Sequence, residues 1–332
     1  MVRYGILGFG NHGVKRLLPA FAGAQESVLT GIWRRDLQKA HSQASEFGIE
    51  HVFSSAEGLC ASPSIDAVFV SSPDALHMDD TLLAISCGKP VLCEKPAAMS
   101  AAQLHRMIDA ARKANVAFGI AQNFRYNRSV NVIREWLRQG RVGAPIFAAA
   151  QFAFLAEQSP RKWIYDRALA CGGAIGDVGI HCIDALRYVL GDNVSTVTAV
   201  ADPNSQSTGI ETTAAIAVEF AQGTLGSVLA SFRAKYHTWM EIVGEDGVIQ
   251  SDDCFTLDHP VQVILRKDGE IVEVQQVVND EAYSLMIDSF SAWIENRGIY
   301  AAPGEDAIHN QLTLDAAYAS MRSGMKQAVS LT

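Results

Sequence analysis

Two short segments of this chain carry residue types and spacings that could do chemistry. The first is Gly88-Lys89-Pro90-Val91-Leu92-Cys93-Glu94-Lys95-Pro96. Its apolar run at 91–93 reads as a buried strand that stops at a carboxylate, an ammonium and a proline ring. A lysine at the carboxyl end of a strand aims a point charge into the crevice where an open α/β sheet binds ligands. There Lys95 could stabilise an oxygen on which negative charge develops. An isolated Glu-Lys-Pro also fits an ordinary surface turn. The second segment runs from Gly172-Gly173 through Asp177 to His181 and Asp184. The last three fall at i, i+4 and i+7, so on a helix they share one face. A carboxylate beside an imidazole orients it and raises its pKa, which makes a general acid/base unit for a hydroxyl group. The same spacing fits a capping aspartate and a buried, hydrogen-bonded histidine. His181 and Asp177 could ligate a metal, but two ligands do not make a site and no further cluster accompanies them; no metal is expected.

Lys95 gains meaning from Gly8-Phe9-Gly10-Asn11-His12-Gly13, which follows a strand and opens a helix, the context a dinucleotide loop requires. Gly8 makes the tight turn, Gly10 admits a pyrophosphate, and Gly13 lets helix and strand approach. Phe9, Asn11 and His12 belong to the same phosphate-binding loop, whose amides face the anion. The second strand ends at Trp33-Arg34-Arg35-Asp36. An NAD site places an acidic residue roughly 20 residues past the loop; here arginine holds that place. Arg34 and Arg35 favour a 2′-phosphate through charge-assisted bonds, so NADP(H) is expected over NAD(H). The alternative leaves both arginines solvated and gives an NAD ribose to Asp36. The turn Ser71-Ser72-Pro73 follows another strand at the same sheet edge and is expected to meet the cofactor through its backbone. His77, just beyond, reads either as a further cofactor neighbour or as an ordinary helix-start residue.

The elements that must position these residues change character part-way along. Short apolar runs at 3–8, 28–33, 67–71, 91–93 and 117–120 alternate with helical patterns at 13–22, 37–47, 78–87 and 101–115. Continuous apolar strands between helices predict a doubly wound parallel sheet covered on both faces, an α/β Rossmann domain over 1–122. Ser100 is a good N-cap for the last helix. Beyond it a helix at 129–139 leads into period-two strands at 146–154, 194–201, 212–220, 225–233, 240–243, 261–266 and 271–278, with helices at 281–297 and 305–326. This predicts a second, α+β domain over 123–332 built on a large, mainly antiparallel open sheet.

Composition bounds the rest. The chain has 332 residues, 48% apolar and 19% charged, which is globular rather than disordered. A net charge of −9 without a basic block disfavours nucleic acid and anionic membranes as partners. No apolar run reaches the roughly 20 residues a membrane helix needs. The first residues read straight into a strand rather than an export signal. None of the six cysteines is spaced as Cys-x-x-Cys. A cytoplasmic protein is expected.

With the glycine loop, Glu94-Lys95-Pro96, Asn123-Phe124-Arg125-Tyr126, the Gly172 to His181 segment and Ala316-Ala317-Tyr318 in this order, the chain resembles the Gfo/Idh/MocA family over nearly its whole length. That family includes glucose-fructose oxidoreductase and inositol dehydrogenase. The resemblance implies a nicotinamide-dependent dehydrogenase or reductase acting on a sugar, polyol or related carbonyl compound. It implies subunit association through the second-domain sheet, as a homodimer or homotetramer. It makes Lys95 the lysine beside the nicotinamide and Asp177 and His181 the acid/base pair. It places Glu94, Pro96, Asn123 and Trp163 with the cofactor, and Arg125 and Tyr126 with Lys95, Asp177 and His181 around the substrate. Some relatives carry a Trp-Arg pair near the cofactor; here Ile164 follows Trp163. Two other activities occur on this fold: a glycosidase that oxidises its substrate transiently, and a ligand sensor without catalysis.

Overall fold

Val2–Leu7 (β1) is buried along almost its whole length, as a strand covered on both faces must be. In the computed structural model, which describes residues 1–202 and 210–330, it lies inside a six-stranded sheet. The other strands are Ser27–Trp33 (β2), His51–Val52 (β3), Ala67–Val70 (β4), Val91–Cys93 (β5) and Phe118–Ile120 (β6). All pairings are parallel, in the order β3-β2-β1-β4-β5-β6. The order reverses between β1 and β4, and open α/β sheets bind ligands at that switch point, beyond the strands' carboxyl ends. Local chemistry fixes the intervening helices. Asp36 caps Leu37–Phe47 by accepting from the Lys39 amide, and Ser100 caps Ala101–Ala114 by accepting from that of Gln103. The strand β3 and the helix Ala56–Ala61 were not expected; two and six residues are too short to show a period.

This first unit comprises Met1–Gln122 together with Tyr283–Ile308. A division at 122/123 alone misses the returning segment. The helix Ala282–Ile294 buries Met286, Ile287 and Phe290. Its Ser291 hydroxyl lies 2.8 Å from the Tyr4 hydroxyl and 2.7 Å from that of Ser27. The Ile120 amide donates to the Ala302 carbonyl at 2.9 Å. Such long-range pairings leave no local mark in a sequence.

The second unit, Asn123–Ala282 with His309–Thr332, contains a nine-stranded sheet. Its strands are Pro145–Ala153 (β7), Val194–Ala201 (β8), Thr213–Phe220 (β9), Leu225–Ser231 (β10), His237–Gly244 (β11), Gly247–Asp252 (β12), Val261–Lys267 (β13), Glu270–Val277 (β14) and Gln327–Ala328 (β15). They run β14-β13-β12-β11-β7-β10-β9-β8-β15, antiparallel except for β7 beside β10. Neither β12 nor β15 was expected. One face packs Ala148, Ala150, Ile216, Val228, Met240 and Ile242 against Val130, Ile133 and Trp136 of the helix Arg128–Arg138 and against Ile183 and Leu186 of the helix Ile180–Leu190. The opposite face leaves Phe147, Leu225 and Leu229 exposed. The last helix, Gly304–Ser323, stops at Gly324, which takes a positive φ of 69°.

Candidate active site

In the first unit the glycine loop and the lysine turn are hydrogen-bonded to each other. Gly8 has φ +81°, and a Cβ there would lie 2.6 Å from the Ser72 backbone, so only glycine fits. A Cβ on Gly10 would meet nothing nearer than the Gly8 carbonyl at 3.7 Å. That open face is the cradle a pyrophosphate requires, and the loop fits a dinucleotide. Gly13 allows the Phe9 ring to lie against the helix, 2.6 Å from where a Cβ would stand. The Phe9 side chain is fully buried packing, so only its backbone can face a ligand. Asn11 is exposed and His12 half-buried. The His12 Nε2 lies 2.8 Å from Glu94 Oε1, and its ring meets Tyr283 edge-on. Burial would raise the Glu94 carboxyl, but His12, Lys95 and His77 outweigh it and hold it below the usual carboxylate range. Lys95 follows, half-buried, joined to Pro96 by a cis peptide bond.

The neighbouring turn is equally built. The Ser71 amide donates to the Leu7 carbonyl at 2.8 Å, and the Ser72 hydroxyl to Asp80 at 2.6 Å. Pro73 is half-buried and opens a short helical turn at Asp74–Leu76. His77 is 1% exposed and is the first residue of the helix His77–Ser86, so the helix-start expectation holds. Its Nδ1 lies 2.8 Å from the Pro96 carbonyl and its Nε2 2.9 Å from the Ser72 carbonyl. It ties the Ser72 turn to the residue after Lys95. At the end of β2, Arg34 is half-buried and donates to Gln43 at 2.9 Å, while Arg35 is exposed. The Asp36 carboxylate faces its own helix as a cap. Sequence reading missed Gln122, at the carboxyl end of β6. Its Oε1 is buried without a partner among the described residues. A single glutamine carries no signal for this.

In the second unit a five-residue π-type turn, Ile175–Gly179, runs into the helix Ile180–Leu190. Its entry is fastened by Glu211. The carboxylate accepts from the amides of Gly173 (3.1 Å) and Ile175 (2.8 Å) and from the Tyr318 hydroxyl (3.0 Å). Burial raises the Glu211 pKa against these bonds. A Cβ on Gly172 would lie 1.6 Å from the Tyr318 hydroxyl, and one on Gly173 1.8 Å from the Glu211 carbonyl. The paired glycines are thus demanded by contact, and Tyr318 closes the same knot. Asp177 and His181, each 8% exposed, follow one turn apart. The His181 ring lies 4.4 Å from Phe124 and stacks at 6.0 Å on Phe152.

Other expected members of this set are placed differently. Arg161, absent from the sequence reading, donates to both Asp177 oxygens at 3.1 and 2.9 Å. Arg125, expected at the substrate, instead donates to Asp184 at 3.1, 3.0 and 2.6 Å, with both side chains no more than 5% exposed. Asn310 donates to the same carboxylate. This closed pair is architecture; it commits the Asp184 carboxylate to Arg125 and Asn310 and gives Arg125 a partner other than substrate. Tyr126 is half-buried. Trp163 is half-buried in the turn Lys162–Tyr165, packed beside Ile164, Val178 and Phe232. Asn123 is 2% exposed, and its Nδ2 has no partner among the described residues, which suits a ligand's hydrogen-bond acceptor. No group of three or more metal-ligating side chains occurs among the described residues.

Residues 2–122 match a model described as an oxidoreductase family with an NAD-binding Rossmann fold, and residues 130–250 match the Gfo/Idh/MocA C-terminal domain. The chain belongs to the Gfo/Idh/MocA family. It is a nicotinamide-dependent dehydrogenase or reductase acting on CH–OH groups. It is 29% identical to a 1,5-anhydro-D-fructose reductase of Ensifer adhaerens over 94% of both chains. It is 28% identical to a D-xylose 1-dehydrogenase (NADP(+)) of Haloferax volcanii over 97% of this chain and 98% of that one. Its fold matches an aldose-aldose oxidoreductase from Caulobacter crescentus with a TM-score of 0.90 at 24% identity, over 98% and 99% of the two chains. No helix among the described residues is long and apolar enough to cross a membrane.

Proposed function

We propose that this family member transfers a hydride between NADP(H) and a sugar, polyol or related carbonyl compound. The observation that carries the reading is the His12–Glu94 bond at 2.8 Å. It makes one unit of the loop that fits a dinucleotide and the turn that presents Lys95. The Gly8-to-Gly13 loop would hold the pyrophosphate, the Ser71-Ser72-Pro73 backbone would flank it, and Arg34 and Arg35 would hold the 2′-phosphate. Asp36 supports that preference, because its carboxylate serves as a helix cap. The Haloferax relative bears NADP in its name. Sugars are the substrates named for both curated relatives.

When bound, the nicotinamide supplies the hydride chemistry at its C4 position. The chain's own residues handle the oxygen. In oxidation His181 takes the hydroxyl proton, and Lys95 donates a hydrogen bond to the same oxygen as charge develops there. Asp177 accepts from the substrate. In reduction His181 returns the proton to the carbonyl oxygen. The rings of Phe124 and Phe152 limit water at His181. We also propose that subunits associate through the open sheet face bearing Phe147, Leu225 and Leu229, since such patches mark interfaces. A cytoplasmic setting suits six cysteines that stand as thiols.

The test is to titrate the protein with NADPH and NADH and then screen sugars, inositols and dicarbonyl compounds by nicotinamide absorbance. Tighter NADPH binding with turnover on one class is the expected result. Cofactor binding without net turnover on any of them would overturn it in favour of a transiently oxidising glycosidase or a sensor.

A further inference from the structure

Glu211 is a fully buried carboxylate to which the mechanism gives no task. A helix start leaves its first amides without partners inside the helix. Here three successive amides find theirs on this one residue. The Glu211 carboxylate accepts from Gly173 at 3.1 Å and from Ile175 at 2.8 Å, and its backbone carbonyl accepts from Ala174 at 2.9 Å. The Gly173 carbonyl in turn accepts from the Asp177 amide at 2.9 Å. Glu211 thus sets the backbone from which Asp177 and, one turn on, His181 project. Helix caps are usually short polar side chains just before the first turn. This one reaches in from 36 and 38 residues further along the chain, at the approach to β9. Burial raises its pKa, yet the groups bonded to the carboxylate are donors: two amides and the Tyr318 hydroxyl. A protonated carboxyl would bring a hydrogen that meets no acceptor among these groups. The ionised form uses all of them, and the aligned peptide dipoles of the helix favour an anion at its start.

We propose that Glu211 is the positioning residue of the Asp177–His181 pair: as a buried anion it holds the turn that aims both side chains, and its charge favours the imidazolium form of His181. The task of the pair rests on the oxidoreductase reading; the charge effect on His181 does not. His181 lies six residues past Ile175, roughly 9 Å along a helix axis. At the effective dielectric of a protein site, a unit charge at that distance moves a titration by about one pH unit. The rings of Phe124 and Phe152 face His181. The other charged groups on its helix and entry are Asp177 with Arg161, Asp184 with Arg125, and Arg187 with Asn193 and Asn310. On the packed helix Arg128–Arg138, Arg134 donates to Tyr188, and burial pushes the Cys182 and Cys254 thiols up, so they stay uncharged. None of these groups is altered by a substitution at Glu211.

The test is an NMR titration of the His181 ring in the full chain labelled at histidine, with the signal assigned by its loss in His181→Gln. The natural chain is compared with Glu211→Gln, Glu211→Asp and Tyr318→Phe. The midpoint should fall by about one pH unit in Glu211→Gln, because the imidazolium loses a nearby anion. It should hold in Glu211→Asp, which keeps the charge, and in Tyr318→Phe, which loosens the same knot without touching the charge. A midpoint unchanged in Glu211→Gln, or lowered as much in Tyr318→Phe, overturns the proposal. Should Glu211→Gln fail to fold, carbon-13 spectra of the glutamate-labelled natural chain decide. A glutamate signal that is absent from Glu211→Asp and ionised at pH 7 sustains the proposal, and a protonated one removes it. With NADP+ and D-xylose as probes, the limb on which kcat/KM rises with pH should move down together with the NMR midpoint, at constant NADPH affinity. A limb that stays while the midpoint moves would take His181, and the proposal with it, out of the chemistry. If the nicotinamide screen finds no substrate, a shifted midpoint still sustains the hold of Glu211 on His181, and it is the oxidoreductase reading that fails.

Discussion

His77 should remain an imidazolium in the folded protein well above neutral pH. Both its ring nitrogens face backbone carbonyls, at 2.8 and 2.9 Å, and a carbonyl can only accept. A neutral imidazole has one N–H, so one nitrogen lone pair would point at an oxygen lone pair inside the core. Only the doubly protonated ring satisfies both. Burial opposes that charge, but Cys93, Asp74 and the Pro96 carbonyl outweigh it and push the pKa from 6.5 up to about 10. Asp80 on the same helix and Glu94 at the end of β5 also feel this charge.

A shift from 6.5 to about 10 corresponds to roughly 5 kcal/mol, a ceiling for what protonation of His77 contributes to the fold. Between these values the folded state binds more protons than the unfolded one, so stability falls as pH rises. The contribution is complete below about pH 6.5, declines through the interval, and is gone above about 10. The perturbation is His77→Gln, which keeps one donor and cannot titrate. The assay is urea unfolding of both proteins from pH 6 to 10.5, taking the difference in stability at each pH so that other groups cancel. The natural chain should lead by several kcal/mol at the acid end, and the lead should shrink toward the alkaline end. Nitrogen-15 spectra of labelled histidine should show both His77 nitrogens protonated in the native protein at pH 8. A difference independent of pH, or a neutral tautomer in those spectra, would refute the reasoning.

Lys95→Ala should lower kcat by about 10²–10³-fold with little change in cofactor affinity, because the lost donor acts as charge develops; unchanged turnover in a steady-state assay would remove Lys95 from the mechanism. Arg34→Asp should weaken NADPH relative to NADH by roughly tenfold or more, measured by fluorescence titration, and an unaltered ratio would mean that Arg34 does not read the phosphate. Gly173→Ala should destabilise the second unit by about 3 kcal/mol, since its methyl would stand 1.8 Å from the Glu211 carbonyl; an unchanged thermal midpoint would contradict that contact. Treatment with a chelator should leave turnover unchanged, and inhibition reversed by added metal would reopen a metal role for Asp177 and His181.

The parallel sheet was legible because its strands are continuous apolar runs separated by capped helices, and the glycine loop was legible because its spacing answers a fixed backbone shape. Helix Ala282–Ile294 joins the first unit through Ser291, which is 287 residues from Tyr4 and 264 from Ser27, and nothing local announces such a partnership. His77 was ambiguous for a related reason. A histidine one residue into a helix looks the same whether its ring meets a ligand or two carbonyls, and those carbonyls belong to Ser72 and Pro96 on different turns.

The two arginines of the second unit show where such ambiguity bears on function. Arg125 sits in a motif that the family resemblance places at the substrate, and Arg161 sits in a stretch without any motif. In the fold each forks onto an aspartate of the same 177–184 segment. The partners' numbers could not have separated them, because the i, i+7 spacing of Asp177 and Asp184 fits one helical face. What differs is enclosure: one pair is sealed by Asn310, and the other is open on its arginine side. A sealed pair is costly to break once one partner is removed, whereas a pair with one side in water is screened and weaker. Enclosure is set by elements remote in sequence, here the last helix, so the arginine carried by a motif became architecture while the one carried by none stands at the surface beside Asp177.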